Sequence, residues 1–241
     1  MFCRAMFLSD LHLGSKACQA DMLLLFLKGV RCNRIYLVGD IIDIWAIKRR
    51  YFCWPDSYSD VISALLQKRK EGVEIFFITG NHDGLLRKFG TFPESMTHHG
   101  ANGKKYLVMH GDQFDKIIAS RTGHIWTWLG NHGYSMLLRG NVWVNKVRKF
   151  FGLEYWSLAD AVKRNLKVSL SFISNFKEEA VTCAKNGGFD GVICGHIHSP
   201  SVSEHDGVTY MNCGDWVDSC TAIVETFGGE FKLLRYEDVS G

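Results

Sequence analysis

Five short apolar runs, each breaking off into Asp, His or Asn, constrain the fold of this chain more than any other feature. Ala5-Met-Phe-Leu8 precedes Ser9-Asp10, Arg34-Ile-Tyr-Leu-Val38 precedes Gly39-Asp40, and Val73-Glu-Ile-Phe-Phe-Ile78 leads to Gly80-Asn81-His82. Lys105-Tyr-Leu-Val-Met109 precedes His110-Gly-Asp112, and Gly191-Val-Ile-Cys194 precedes Gly195-His-Ile-His198. Runs of this length without polar alternation read as strands buried on both faces. Helical segments near Asp21 to Val30 and Ser57 to Glu71 separate the first three, which predicts β-α-β units with right-handed crossovers. The polar residues then fall at carboxyl strand ends, where open α/β sheets place their sites.

Further on the pattern turns hairpin-like, with expected strands at Val208 to Cys213, Cys220 to Phe227 and Phe231 to Tyr236, and Gly228-Gly229 as a turn. The expectation is an α/β chain built as a two-layer β sandwich flanked by helices. At 241 residues, with 46% hydrophobic and 22% charged side chains, one core organises one domain over 1–241. The stretch from 115 to about 185 breaks the strand rhythm. It is helical in pattern, holds four of the seven tryptophans (Trp126, Trp128, Trp143, Trp156), and reads as a helical insertion in that domain. Its rings are either the interior of a helical subdomain or, edged by basic residues, a surface for an apolar substrate.

Charge is uneven. Residues 115–175 carry nine Lys or Arg against Asp115, Glu154 and Asp160, so the insertion is +6 within a chain of net +3. Lys163, Arg164 and Lys167 are spaced to share a helix face, either as a solvated stripe or as phosphate-binding groups that could also rest on an anionic inner leaflet. No basic patch interleaves with stacking aromatics on a nucleic-acid module, which excludes nucleic-acid readout. The eight cysteines contain no Cys-x-x-Cys pair and fit reduced thiols of a cytoplasmic protein. No apolar run approaches the roughly 20 residues of a membrane span, and Asp10 and His12 arrive before a signal-type stretch could finish.

The strand-end motifs are Asp10-Leu-His12, Gly39-Asp40-Ile-Ile-Asp43, Gly80-Asn-His-Asp83, His110-Gly-Asp112 and Gly195-His-Ile-His198. Each alone is weak, and their ordered occurrence at strand ends is strong. An anionic phosphoester resists hydroxide, so its catalyst needs charge neutralisation and a nucleophile at neutral pH. Two divalent cations roughly 3.5–4 Å apart supply both. Carboxylate, imidazole and amide donors together suit manganese, with iron or zinc as alternatives, better than magnesium alone.

This pattern resembles the calcineurin-like metallophosphoesterase superfamily over Asp10 to His198. The resemblance implies a four-layer α-β-β-α sandwich in which Asp10, His12 and His198 ligate one metal, Asn81, His110 and His196 ligate the other, and Asp40 bridges them. It makes His82 the catalytic non-ligand histidine, which stabilises the transition state or protonates the leaving oxygen, places Asp83 beside it as the second catalytic residue, and makes Asp83 and Asp43 groups that orient ligands or imidazoles. The resemblance narrows through His110-Gly-Asp-Gln-Phe-Asp115, the helical insertion, and Asn212-Cys-Gly-Asp-Trp-Val-Asp-Ser-Cys-Thr221. These are similar to the UDP-2,3-diacylglucosamine hydrolases and close paralogues. Such enzymes imply cleavage of a nucleotide-linked lipid to UMP and the lipid 1-phosphate by a metal-bridging hydroxide, a cap that holds acyl chains, and peripheral contact with the inner membrane. Members of that family commonly carry Arg where this chain has His82. A paralogous phosphodiesterase or nucleotide pyrophosphatase with a non-lipid substrate therefore stays open, and a non-catalytic scaffold ranks below both because every expected ligand is present. Asn212 and Asp215 close a metal-facing edge or shape a turn, the turn being the reading taken. His98, His99, His124, His132 and His205 receive no role.

Overall fold

A computed structural model describes residues 1–48, 50, 52–90, 92–122 and 167–239. The strands are β1 (Phe2–Leu8), β2 (Arg31–Val38), β3 (Glu74–Ile78), β4 (Ser95–His99), β5 (Lys105–Met109), β6 (Gly191–Cys194), β7 (Ser201–His205), β8 (Val208–Asn212), β9 (Thr221–Glu225) and β10 (Phe231–Arg235). The helices are α1 (Ala20–Gly29), α2 (Ile44–Ile47), α3 (Asp56–Lys70), α4 (Phe114–Thr122) and α5 (Lys167–Asn186), with a 3-10 turn at Gly84–Phe89. They form two mixed sheets, ordered β10-β9-β1-β2-β3 and β4-β5-β6-β8-β7.

The expected β-α-β units are present: β1 pairs parallel with β2, and β2 parallel with β3. Strand alternation sends the side chains of the first sheet into two layers of the core. Ala5 and Phe7 of β1, with Tyr36 and Val38 of β2, pack against Tyr106, Val108, Ile193 and Met211 of the other sheet. Met6, Leu8, Ile35 and Leu37 face the opposite way onto Leu23, Phe26 and Leu27 of α1 and Val61 and Leu65 of α3. Each such side chain, fully buried, contributes roughly 1.5–3 kcal/mol of transfer free energy. α1 reads out directly as an amphipathic helix, since Ala20, Leu23, Phe26 and Leu27 recur at helical spacing and are its buried face.

Two strands escaped the apolar-run signal. β4 and β7 are sheet edges, and their polar sequences Ser-Met-Thr-His-His and Ser-Val-Ser-Glu-His match their mostly solvent-facing positions. Their presence corrects the hairpin expectation. β8 pairs with β7 around the Asp206-Gly207 turn and runs parallel to β6 in the second sheet, while β9 and β10 alone form the hairpin around Gly228-Gly229.

The chain divides into two compact units, Met1–Asp112 with Val181–Gly241, and Gln113–Ala180. The first carries both sheets. In the second, Phe114 of α4 meets Phe176 of α5 edge-on, ring centroids 5.6 Å apart. The expected cap over 115–185 falls across residues 123–166, which lie outside the described residues together with Lys163, Arg164 and the four tryptophans. Lys167 opens α5, and its side chain lies outside them as well. Among the described residues no helix is long and apolar enough to cross a membrane.

Candidate metal centre

The loops after β1 and β2 are zipped together by their backbones. Asp10 N–H donates to Gly39 O at 3.1 Å, His12 N–H to Asp40 O at 2.9 Å, and Asp43 N–H back to Leu13 O at 2.9 Å. This brings the first two motifs side by side. The fourth and fifth are joined by Gly195 N–H donating to His110 O at 3.1 Å. Asp83 secures the third: its carboxylate accepts from Ile41 N–H at 2.9 Å and Gly80 N–H at 2.6 Å. Both of its oxygens are thus engaged by backbone amides, and the residue braces the loops that present Asp40 and Asn81.

The conformation of these loops is itself informative. Among the described residues, seven non-glycine positions have positive φ, and five are Asp10 (54°), His12 (48°), Asp40 (53°), His196 (67°) and His198 (49°). Each costs of order 1–3 kcal/mol, and such strain concentrates where function demands it. Glycine permits the closest approaches. A Cβ on Gly195 would strike Ser9 Oγ and Asp10 Oδ2, and one on Gly80 would strike Asp40 Oδ1.

The side chains converge into three overlapping donor groups, Asp10 with His12 and His198, Asp40 with His110 and His196, and His12 with Asp43 and His82. His198 Nε2 lies 3.0 Å and His12 Nε2 3.6 Å from Asp10 Oδ1. Asp40 Oδ2 stands between the first two, 3.4 Å from His110 Nε2 and 3.8 Å from His12 Nε2. His82 approaches the same oxygen at 3.9 Å, and its N–H donates to Asp40 Oδ1 at 2.8 Å.

A surrounding layer fixes these orientations. His110 Nδ1 is 3.0 Å from the carbonyl oxygen of Val38, so that nitrogen carries a proton and Nε2 is the atom turned to the centre. Asp43 Oδ2 lies 3.8 Å from His12 Nδ1, and Asp43 Oδ1 lies 3.1 Å from His82 Nδ1 while accepting from Ala46 N–H at 2.8 Å. Asp10 Oδ2 is taken by Ser9 Oγ at 2.5 Å and His196 N–H at 2.9 Å, leaving Oδ1 for the centre. Arg87 joins two strand-end loops, donating from Nη2 to both carboxylate oxygens of Asp112 at 3.0 Å and to Thr79 O at 3.1 Å.

Electrostatics show what the centre wants. Burial favours the neutral form of every acid here, yet the charges of His198 and His110 hold Asp10 well below the usual carboxylate range. Asp40 is lowered against the same penalty by His110 and His12, and Asp43 by His12 and His82. Burial works against the charged form of His110, but Asp40 and Asp10 push it up to about 10. Burial works against the charged form of His12 too, but the nearby carboxylates of Asp10, Asp43 and Asp40 raise it well above the usual range. The cluster therefore demands positive charge. Asp10 Oδ1, Asn81 Oδ1 and His110 Nε2 are buried without a hydrogen-bond partner among the described residues. Buried polar atoms without partners call for a cause, and hard-to-borderline oxygen and nitrogen donors of this kind fit divalent cations.

Sequence reasoning overlooked Ser9, Trp45 and Arg87, and it underrated Asp215. The last shapes a turn, accepting from the N–H groups of Val217 at 2.9 Å and Asp218 at 2.6 Å, and also places Oδ2 3.6 Å from His198 Nδ1. Its signal was present, since Gly214-Asp215 repeats the strand-end Gly39-Asp40. Asn212 donates to Gly195 O at 2.7 Å and accepts from Gly214 N–H at 2.9 Å, a bond pattern that stiffens the loop bearing His196.

Two mixed sheets with helices carry at their strand ends a buried cluster of carboxylate and imidazole donors able to hold metal ions, the α/β arrangement of a metallophosphoesterase. The chain belongs to the calcineurin-like phosphoesterase family, whose model matches residues 3–200. It is similar to the UDP-2,3-diacylglucosamine hydrolase of Neisseria meningitidis serogroup B, 25% identical over 250 residues that span 93% of this chain and 94% of that protein. The hydrolase of the same name from Blochmanniella pennsylvanica is 32% identical over 117 residues, 44% of this chain and less than half of that protein, 46%. Among solved structures, a novel archaeal phosphodiesterase aligns over 95% of this chain and 98% of its own at 13% identity and TM-score 0.46.

Proposed function

We propose that the chain hydrolyses the pyrophosphate of a nucleotide-linked lipid of the UDP-2,3-diacylglucosamine type, giving UMP and the lipid 1-phosphate. The observation that carries this reading is the convergence of five strained motif residues on one carboxylate-rich centre, in a chain that a relative of that name matches over 93% of its length at 25% identity. Asp10, His12 and His198 would hold one divalent ion, Asn81, His110 and His196 a second, and Asp40 would be shared. Manganese is the ion this donor mixture favours, with iron or zinc next. Such ions, when bound, supply charge neutralisation at the phosphate and an acidified water.

The chain's own groups do the rest. His82, grouped with His12 and Asp43 and not among the ligands assigned above, would give a hydrogen bond or proton to the phosphoryl or leaving oxygen. Asp43 Oδ1 stands 3.1 Å from the far ring nitrogen of His82. Val38 O holds the proton on Nδ1 of His110, which keeps the facing nitrogen unprotonated when a cation is bound. Asp83 and Arg87 keep the strand-end loops in register.

A helical cap over 115–185, with Lys163, Arg164 and Lys167 toward substrate phosphates, would accept the acyl chains. A cytoplasmic site of action at the inner membrane surface goes with that substrate. His82 favours one second reading, a phosphodiesterase or nucleotide pyrophosphatase acting on a non-lipid substrate, because hydrolases of the named family commonly carry Arg there. Turnover of UDP-2,3-diacylglucosamine by manganese-loaded protein, against bis-p-nitrophenyl phosphate, separates them. UMP release far above the control rate supports the lipid substrate, and generic activity alone supports the second reading.

A further inference from the structure

The structure assigns Trp45 as a positioning residue for His82: its indole, together with the Asp43 carboxylate, clamps the imidazole in the orientation that faces the centre. This rests on the reading of His82 as the hydrogen-bonding group of the reaction. The His82 ring is contacted from three directions. Asp43 Oδ1 lies 3.1 Å from Nδ1, the Trp45 ring packs over it with centroids 4.2 Å apart and 36° between planes, and His12 meets it edge-on at 4.6 Å.

Two of the three contacts come from one short segment. Asp43 caps α2 by accepting from Ala46 N–H, and Trp45 lies in the first turn of that helix, so carboxylate and indole are fixed relative to one another. A carboxylate alone leaves an imidazole free to swing about the axis of its Nδ1 contact, whereas an aromatic face removes that rotation. Where a group must meet a reacting oxygen at hydrogen-bond distance, such restriction of geometry raises the rate without changing affinity.

Trp45 has no evident structural duty. It is 56% exposed and, among the described residues, packs in neither of the two core clusters around the first sheet, whereas Trp54 and Trp216 pack in one. An exposed indole beside the centre, held over a motif histidine that shares a donor group with Asp43 and His12, is hard to account for by folding. Its contact also keeps water from one face of the ring, whose side chain stays 24% exposed.

The test is a double-mutant cycle on the manganese-loaded chain with bis-p-nitrophenyl phosphate, backed by a spectrum of the metal-free protein. Trp45→Ala should lower kcat about ten- to a hundredfold, short of the roughly hundred- to ten-thousandfold cost of losing a general acid, with KM and metal content unchanged. Trp45→Phe should recover most of that loss. In a His82→Ala background Trp45→Ala should cost nothing further. In the metal-free protein the His82 ring protons should resonate upfield, inside the indole ring current. An equal loss in the His82→Ala background, a loss of metal with Trp45→Ala, or an unshifted His82 resonance would each overturn the assignment. Absence of any wild-type turnover would instead overturn the phosphoesterase reading, leaving the resonance to judge the packing.

Discussion

His110 presents Nδ1 to the carbonyl oxygen of Val38 at 3.0 Å while its Nε2 lies 3.4 Å from Asp40 Oδ2, so one ring ties the second sheet to the backbone of the first and aims at the shared carboxylate. The contact joins the ends of β2 and β5, strands of different sheets. It makes the centre a product of the sandwich and not of any single loop.

Asp40 is the most sensitive position. Replacing groups that merely orient ligands typically costs 10–100-fold in metal affinity or activity, so Asp40→Ala, which removes the carboxylate reaching both His110 and His12, should exceed about a hundredfold in turnover. Metal analysis of the purified variant should show depleted ions at wild-type thermal stability of the fold. Wild-type turnover in metal-replete Asp40→Ala protein would refute the role.

Asp215→Asn should lower metal affinity about 10–100-fold, because the carboxylate beside His198 Nδ1 is replaced by a neutral amide. Competition against a chelating dye measures it. The substituted side chain can still accept from Val217 and Asp218, so a large loss of folding stability would show that the turn, and not the imidazole, depends on the charge.

Metal binding should release protons. His110 in the metal-free protein is raised to about 10, and His12 lies above its ordinary range, so both carry protons near pH 7 that an incoming cation must displace. Affinity should therefore rise with pH through the neutral range. Calorimetry in buffers of different ionisation enthalpy reads the number released, and binding heats independent of buffer would contradict the expectation.

Glu225 anchors a buried network away from the centre. It accepts from Arg4 Nη1 and Ala101 N–H, both at 2.6 Å, and lies 3.0 Å from His98 Nε2. Burial opposes its charge, but His98, the Ala101 amide and Arg4 lower its carboxyl below the ordinary value. A depressed carboxylate adds stability above its unfolded value and loses it as pH falls. Glu225→Ala should destabilise by about 3 kcal/mol, the cost of leaving buried partners uncompensated, and should flatten the acid limb of the stability curve. Denaturant melts from pH 7 to pH 3 test both.

Much of this was legible in the chain because its signals are local. β1, β2, β3, β5 and β6 announce themselves as apolar runs, and Asp10, His12, Asp40, His110, His196 and His198 stand at their ends with the residue types that cations select. β4 and β7 were not legible, since an edge strand buries too little to need an apolar sequence. Residues whose partners are remote were missed for a similar reason. Nothing next to Arg87 predicts Asp112, nothing beside Trp45 predicts His82, and Asp215 looks like a turn residue because it also is one.

The most direct measurement is hydrolysis of bis-p-nitrophenyl phosphate by the purified chain before and after metal removal, with bound ions counted at each stage. The account predicts two divalent ions per chain in the active form, loss of turnover on chelation, and recovery with manganese. Undiminished turnover by the stripped protein would contradict it.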